Sequence, residues 1–302
     1  MNNKFIIDKK IKLALDANKP IVALESSLIS HGFPYPQNIE VAKSSIEAIK
    51  KTGSIPATIG IIKGKIKVGL NEKDIEFMAK NSNIEKVSVH NLVLALSNKK
   101  NAATTVASSI YIAEKLKIKF FATGGIGGVH RNAEKSFDVS SDLYQLSKSK
   151  LFIICSGAKS ILDLDKTYEL LETLGITRIG YKTKFMPGFW YSETHNQVDN
   201  SFNQISKISN FLKLNEKIKH NKSILIFNKV PEKNAISKDK INQWIKNALI
   251  NAQKLKICGK ELTPFLIKEI NKFSDNQTLD ANIALILDNA NLAGKIAKDF
   301  YS

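Results

Sequence analysis

The sequence predicts an α/β fold in which a mixed, mostly parallel central sheet carries helices on both faces. Short apolar segments rich in β-branched and aromatic residues alternate with amphipathic segments of helical periodicity over most of the chain, which is typical of parallel sheets. Residues 57–70 differ, because two apolar segments there are separated only by Lys63 and Gly64. This predicts a hairpin and therefore some antiparallel pairing. No Pro/Gly/Ser-rich linker interrupts the 302 residues, so we expect one domain over residues 1–302.

The individual elements follow from local signals. The N-terminal part predicts a strand at 20–29, a helix at 36–51 with Pro36 in its first turn, the hairpin at 57–70, a helix at 71–81 and a strand at 85–89. Next come a helix at 102–116, a strand at 119–125, a helix from Ser140 or Ser141, a strand at 151–155 and a helix at 160–174 that ends before Gly175. The remainder predicts a strand at 177–183, a helical stretch near 201–213, a strand at 223–229 and three helices from about residue 237.

The net charge leaves two classes of partner open. The chain has 45 Lys and Arg against 28 Asp and Glu, a formal charge of +17, which suits either nucleic acid or an anionic small molecule. The lysines are scattered over segments expected to be solvated helix faces. Aromatic residues do not alternate with them as a base-stacking surface requires. We therefore expect a small-molecule substrate and no nucleic-acid partner.

The chain also lacks the marks of an exported or membrane protein. Its N-terminal segment has no long apolar core, and no apolar segment approaches the roughly 20 residues that span a bilayer. We therefore expect a cytoplasmic protein without a membrane partner. Cys155 and Cys258 show no CxxC or Cys/His ligand spacing, so we expect reduced, structural thiols rather than a disulfide or a zinc site.

A glycine-rich segment follows the strand at 119–125. ATGGIGGVHR at residues 122–131 could turn backbone N–H groups toward a phosphate, with His130 and Arg131 adding side chains. It matches neither the dinucleotide fingerprint, because His130 occupies the third glycine position, nor a Walker A loop. Glycine runs also serve tight turns alone, so both interpretations stay open.

Two acidic segments could also carry chemistry. In SFDVSSDL at 136–143, Asp138 and Asp142 flank serines, which indicates either a helix start or a divalent cation held by one carboxylate with water and substrate oxygens. Glu25 ends a segment expected to be a buried strand, where a carboxylate is either paired or kept protonated for proton transfer. The polar neighbours of Glu25 favour function.

Lys159 lies in SGAKSILDLD, between an apolar strand and the helix predicted from Ser160. The carboxyl ends of strands are where open α/β sheets place ligands. An amine beside a helix N-terminus in apolar surroundings loses its proton more easily, as a Schiff-base nucleophile requires. The alternative is a surface lysine with its stem on the protein.

Together these segments resemble the pseudouridine-5′-phosphate glycosidase family, also labelled indigoidine synthase A-like. The matching stretches run in order from about residue 20 to residue 293, and they are ALESSLISHGFPYPQN, IPATIGIIKGKIKVGL, ATTVA, FFATGGIGGVHR, FDVSSDL, CSGAKSILD, GKELTPFL and LDANIALILDNA. The resemblance implies an α/β/α sandwich, a homotrimer and a Mn²⁺ ion.

The resemblance also implies roles for particular residues. Lys159 matches the covalent nucleophile, Glu25 the proton donor and Asp138 the manganese ligand. The substrate contacts fall on Lys86, Val106, Ser140, Ser141 and Asp142, with Thr123, His130 and Asn282 as further neighbours of the site. The implied reaction is reversible cleavage of pseudouridine 5′-phosphate to uracil and ribose 5-phosphate through a lysine imine.

The chain departs from the family in two places. After Lys86 the family usually has Ser-Arg-Arg-Asp, whereas this chain has Ser-Val-His-Asn at 88–91. Residues 183–187 also lack the usual Asp-Glu before the aromatic residue and proline. These changes leave open a different Schiff-base enzyme acting on a sugar phosphate, such as an aldolase or a synthase of another C-nucleoside.

Overall fold

The computed structural model describes residues 4–257 and 262–302. The strands in this part of the chain are β1 (Phe5–Ile7), β2 (Ile21–Leu24), β3 (Ile55–Ile62), β4 (Lys65–Val68), β5 (Glu85–Val87), β6 (Ala102–Thr104), β7 (Phe120–Ala122), β8 (Phe152–Cys155), β9 (Thr177–Tyr181), β10 (Asn200–Phe202) and β11 (Ile224–Phe227). The helices are α1 (Lys9–Asp16), α2 (Gln37–Lys50), α3 (Glu72–Lys80), α4 (Leu92–Ser97), α5 (Val106–Lys115), α6 (Ala133–Ser136), α7 (Ser141–Lys148), α8 (Leu164–Thr173), α9 (Ile205–Lys217), α10 (Lys238–Lys254), α11 (Leu262–Phe273) and α12 (Gln277–Phe300).

The strands form one mixed sheet in the order β1-β4-β3-β2-β7-β8-β11-β9-β10, and β6 joins β3 and β5 beside this path. Among the described strands, the antiparallel pairs are β3 with β4 and β3 with β6. The hairpin turns at Lys63 and Gly64, both with positive φ, as a tight two-residue turn requires. The predicted mixed, mostly parallel sheet is confirmed.

Helices cover both faces of the sheet, because successive strand residues point to opposite sides. On β2, Val22 and Leu24 join a core formed with α2, α9 and α12. Ile21 and Ala23 join the opposite core, which includes α5, α7, α8 and α10. The sheet between two helical layers confirms the α/β/α sandwich that the family resemblance implied.

Several local predictions are corrected by long-range pairing. The first residues of the predicted helix at 102–116 form β6, because Ala102 and Ala103 pair with β3, and Thr105 then caps α5 by accepting from the Ser108 N–H. The predicted helix near 201–213 begins only at Ile205, after the edge strand β10. Most importantly, the helix predicted from Ser160 begins at Leu164.

No helix among the described residues is long and apolar enough to cross a membrane. Cys155 is a buried, free thiol on β8, and burial raises its pKa to about 12. A thiol in that state is a poor nucleophile, as expected of a structural cysteine. Cys258 lies outside the described residues.

Candidate active site

The candidate site lies at the carboxyl ends of three neighbouring parallel strands. Glu25 directly follows β2, Thr123 directly follows β7, and Lys159 lies four residues beyond the end of β8. Since β7 pairs with both β2 and β8, the three side chains converge at one edge of the sheet. This is where open α/β sheets place their ligands.

Glu25 is 7% exposed and accepts hydrogen bonds from two hydroxyls, those of Ser27 and Thr123. The Thr123 Oγ1–Glu25 Oε1 distance is 2.6 Å. Burial raises the pKa of Glu25, and the charge of Lys159 and the two hydroxyl bonds only partly oppose it. A carboxyl group in such surroundings keeps its proton at higher pH than usual, which suits a general acid.

Lys159 is half-buried in a loop rather than at a helix N-terminus. The expected cap, Ser160, instead donates to the Gly188 carbonyl at 2.5 Å, while Asp163 caps α8 by accepting from the Lys166 N–H. The prediction that Lys159 lies at the N-terminus of a helix is therefore wrong. The Lys159 backbone is fixed from the other side, where its N–H donates to the Ile126 carbonyl at 3.1 Å.

The charge of Lys159 acts on Glu25, Lys86 and His130, so these four side chains surround one cleft. Lys86 on β5 retains accessible surface, and its partial desolvation together with the charge of Lys159 lowers the pKa of its amine. Burial and Lys159 likewise lower the pKa of His130, and Asp138 opposes them. The cleft therefore places basic side chains around one carboxyl group of raised pKa, which suits a phosphorylated substrate.

Asp138 is placed beside His130 by a short antiparallel bridge between Val129 and Val139. The carboxylate of Asp138 is 41% exposed and lies 3.8 Å from the His130 Nδ1. It accepts no hydrogen bond from the described residues. In the described part of the chain no group of three or more His, Cys, Asp or Glu side chains could hold a metal. An open, uncommitted carboxylate nevertheless fits a hard divalent ion that keeps water ligands.

Asp142 has a different position from Asp138, because its carboxylate is buried and already bonded. One oxygen accepts the Ala107 N–H at 2.9 Å and the other accepts the Gly127 N–H at 2.8 Å. It thereby ties α7 to the start of α5 and to the glycine-rich segment. A Cβ on Gly127 would lie 2.1 Å from the Ser140 Oγ, so this glycine permits the close approach.

The glycine-rich segment is held mainly by protein acceptors. The N–H groups of Ile126, Gly127 and Val129 donate to Gly157, Asp142 and Thr167. Arg131 donates to the Ile161 carbonyl at 3.2 Å, in the loop after Lys159. The packing role of the segment is therefore the interpretation that the contacts favour over a phosphate cradle.

The other residues implied by the resemblance lie around this cleft. Val106 opens α5, Ser140 caps α7, and the Ser141 hydroxyl lies 2.7 Å from that of Ser88. Asn282 on α12 accepts from the Trp190 indole N–H at 2.6 Å. Sequence reasoning missed Trp190 and the fully buried Asn289, whose amide donates to the Thr123 carbonyl at 2.9 Å. No local signal could have found them, since their partners are distant in sequence.

Known proteins of one family are similar to this chain over nearly its whole length. A family model described as indigoidine synthase A like protein matches residues 10–299. Pseudouridine-5′-phosphate glycosidases of Petrotoga mobilis and Brachyspira hyodysenteriae are 47% and 44% identical, over 97% and 99% of this chain and 96% and 98% of theirs.

Two solved structures are similar as well. A prealnumycin C-glycosynthase in complex with ribulose 5-phosphate superposes with a TM-score of 0.92 at 33% identity, covering 100% of this chain and 98% of that one. An indigoidine synthase A-like protein from Thermotoga maritima gives a TM-score of 0.90 at 33% identity, covering 100% and 99%.

Proposed function

Because the chain belongs to the indigoidine synthase A-like family, we propose that it is an enzyme that cleaves the C–C glycosidic bond of pseudouridine 5′-phosphate to uracil and ribose 5-phosphate. Relatives of 39–47% identity over nearly the full length carry that activity in their names. The family resemblance of the sequence motifs is thereby confirmed. The observation that carries the proposal is that Lys159 lies in one basic cleft with Glu25, a buried carboxyl group of raised pKa.

The chemistry explains why a lysine is needed. The bond between C1′ and a uracil carbon offers no heteroatom leaving group to protonate, so the usual route of glycosidases is closed. We propose that the Lys159 amine attacks C1′ and forms a C–N bond while the C1′–O4′ bond breaks. The attacking nitrogen loses a proton to the Glu25 carboxylate, and its lone pair then forms an imine as the C1′–C5 pair passes to uracil. Water hydrolyses the imine and frees Lys159 and ribose 5-phosphate, and the sequence of steps is reversible.

Glu25 moves the protons in this proposal. The ring oxygen O4′ needs a proton when its bond to C1′ breaks, and C5 of uracil needs one when the base leaves. The buried Glu25, with its raised pKa, can supply the first and recover it from solvent or substrate for the second. Thr123 and Ser27 hold its carboxyl group in place.

The remaining residues bind the substrate. The basic side chain of Lys86 and the N-terminus of α5 at Val106 suit the phosphate. We place Ser140, Ser141 and Asp142 along the sugar phosphate, with Thr123, His130 and Asn282 nearer the reacting bond. These assignments follow the family resemblance and the position of each residue around the cleft.

Asp138 is the residue that would hold Mn²⁺. Its exposed carboxylate, free of hydrogen bonds from the described residues, fits a site completed by water and substrate oxygens. Such an ion would polarise and orient through its bound water. The His130 Nδ1 lies 3.8 Å from the Asp138 carboxylate and would border this site.

We also propose that the protein acts as a homotrimer in the cytoplasm, where a phosphorylated nucleotide would be retained. Exposed apolar side chains support assembly, because they lie on two segments joined by the Ser88–Ser141 hydrogen bond. They are Val93, Leu94, Phe137, Val139 and Tyr144, with exposures of 73%, 62%, 87%, 42% and 62%.

Two observations favour a second candidate function, that of a C-glycoside synthase. The prealnumycin C-glycosynthase shares the fold almost completely, and the segments at 88–91 and 183–187 are altered in this chain. A synthase that joins a sugar phosphate to another carbon nucleophile would use the same lysine chemistry. It would trap a sugar on Lys159 without releasing uracil.

The experiment is uracil release from pseudouridine 5′-phosphate with a manganese salt, followed by chromatography. We expect Lys159→Ala to lose more than about a thousandfold in kcat, and the matched change at an exposed lysine, Lys150→Ala, to have no effect. Borohydride in the presence of ribose 5-phosphate should place a reduced sugar adduct on the Lys159 peptide, as read by mass spectrometry. Normal turnover by Lys159→Ala would contradict the mechanism, and an adduct without uracil release would favour the synthase.

A further inference from the structure

The N-terminal end of α12 overhangs the candidate site. Near the other end of the helix, Phe300 packs on Phe120 and Phe152, which begin β7 and β8. Asn289 bonds to Thr123 and Gly124, just past the end of β7. The helix therefore runs antiparallel to these strands. Asn282, seven residues before Asn289, lies about 10 Å further along the axis, beyond the carboxyl edge where Lys159 follows β8.

Asn282 also shares a helix face with residues that border the catalytic acid. Ile286, one turn later, lines a small cavity of about 30 Å³ together with Glu25 and Thr123. Residues four apart lie on one side of a helix. The half-buried Asn282 thus lies on the side of α12 that faces the site.

The orientation of the Asn282 amide is fixed by its partner. An indole N–H can only donate, so the oxygen of the amide must be the atom 2.6 Å from the Trp190 Nε1. The opposite flip would place two donors against each other. The Asn282 NH₂ group has no acceptor among residues 4–257 and 262–302 and retains access to solvent. The Asn282 amide therefore offers a hydrogen-bond donor to the cleft.

Trp190 is itself held firmly next to the lysine loop. Trp190 is 2% exposed, and its backbone N–H donates at 3.3 Å to the Oγ of Ser160, the residue after Lys159. Phe189 before it has φ +69°, a conformation that a bulky residue adopts only when its surroundings impose it. The Phe189 N–H donates to the Ser156 carbonyl at 3.1 Å. The indole is therefore a rigid anchor for Asn282.

From these contacts we infer that Trp190 is a positioning residue that aims the Asn282 amide N–H at a carbonyl oxygen of the leaving base. The inference rests on the proposed function and extends it to base recognition. When the C1′–C5 bond breaks, C5 takes a proton from Glu25, and the electron pair of the broken bond restores the C5–C6 double bond of uracil. A donor aimed at the carbonyl oxygen next to C5 holds the base in the orientation that this proton transfer requires. The site therefore selects bases with a carbonyl group beside the departing carbon.

The test compares two readouts of Trp190→Phe, which keeps the aromatic ring and removes the N–H. Uracil release from pseudouridine 5′-phosphate should fall about tenfold in kcat with a smaller change in KM, because the lost contact orients the base for the proton transfer that accompanies bond cleavage. Borohydride trapping of ribose 5-phosphate on Lys159 should stay at the wild-type level, since that adduct contains no base. Tyr191→Phe, which removes a hydroxyl from the same turn, should leave both readouts unchanged.

A second variant covers the case in which Trp190→Phe folds poorly. Asn282→Asp can still accept from the indole but offers the base only acceptors, so uracil release should fall by more than tenfold while trapping persists. Equal losses in release and trapping would overturn the inference, because Trp190 would then act on the lysine loop. Unchanged release by both variants would overturn it as well. A wild-type enzyme that releases no uracil would instead contradict the proposed function itself, which is a distinguishable result.

Discussion

At the scale of single residues, the acid is tuned by its hydroxyl partners. Burial raises the pKa of Glu25, and the bonds from Ser27 and Thr123 lower it by favouring the charged form. Thr123→Val removes one of these bonds, so the pKa of Glu25 should rise further. Because Glu25 acts when protonated, the limb of the pH–activity profile that it controls should move to higher pH. Initial rates of uracil release between pH 5 and pH 10 would measure the shift.

The matched control for this prediction is Thr58→Val. Thr58 lines the same small cavity as Glu25 and is 4% exposed, but the hydroxyl partners of Glu25 are Ser27 and Thr123. This variant loses the same atoms and should keep the wild-type profile. A Thr123→Val profile that coincides with that of the control would show that the Thr123 bond does not tune the acid.

The proposed Mn²⁺ site also depends on a single residue, Asp138. Asp138→Asn keeps the size of the side chain and removes its charge, so Mn²⁺ affinity should fall about tenfold or more. Titration of Mn²⁺ followed by electron paramagnetic resonance would report the affinity directly. Asp163→Asn, which alters the cap of α8, is a control for general damage. Equal Mn²⁺ affinities of Asp138→Asn and wild type would place the ion elsewhere.

At the scale of elements, Asp142 joins three segments that are distant in sequence. Its two oxygens accept from Ala107 in α5 and Gly127 in the glycine-rich segment. Asp142→Asn replaces one acceptor with a donor and leaves a buried N–H without a partner. The free energy of unfolding should fall by about 1–3 kcal/mol, as measured by urea denaturation. The exposed Asp165→Asn should change it by much less, and equal effects would argue against the clamp.

The beginning of α8 shows why the sequence could single out Lys159 as a candidate site residue but could not predict the structure around it. Ser160 and Asp163 both have the chemistry of an N-cap, and the sequence alone favoured Ser160. The hydroxyl of Ser160 is bonded to Gly188, 28 residues later, which no local pattern encodes. The lysine therefore owes its position to a loop packed against residues 187–190. In contrast, α7 begins at Ser141 with Ser140 as its cap, as the local signals predicted.

At the scale of the whole molecule, the alternation of strands and helices was predictable, whereas the short elements β1, α1, α4, β6 and β10 and the spatial order of the strands were not. The alternation of strands and helices fixes a layered fold, whereas the position of β7 between β2 and β8 brings Glu25, Thr123 and Lys159 together. Motif resemblance selected these residues because the family keeps the site in rare, ordered segments. Trp190 escaped notice because its role depends on one bond to Asn282 across 92 residues.

The proposed homotrimer is a property of the whole molecule, and it depends on an exposed apolar surface. If the apolar side chains on α4 and α7 are covered by another copy of the chain, Val93→Asp should place an unpaired carboxylate in that interface, which costs several kcal/mol. Light scattering after size exclusion should then show the mass falling from about three times 33.6 kDa to a single chain. Val93 is 73% exposed, and Ile218, which directly follows α9 and is 68% exposed, offers a matched control. Ile218→Asp should keep the wild-type mass, and a Val93→Asp protein of unchanged mass would place the interface on another face.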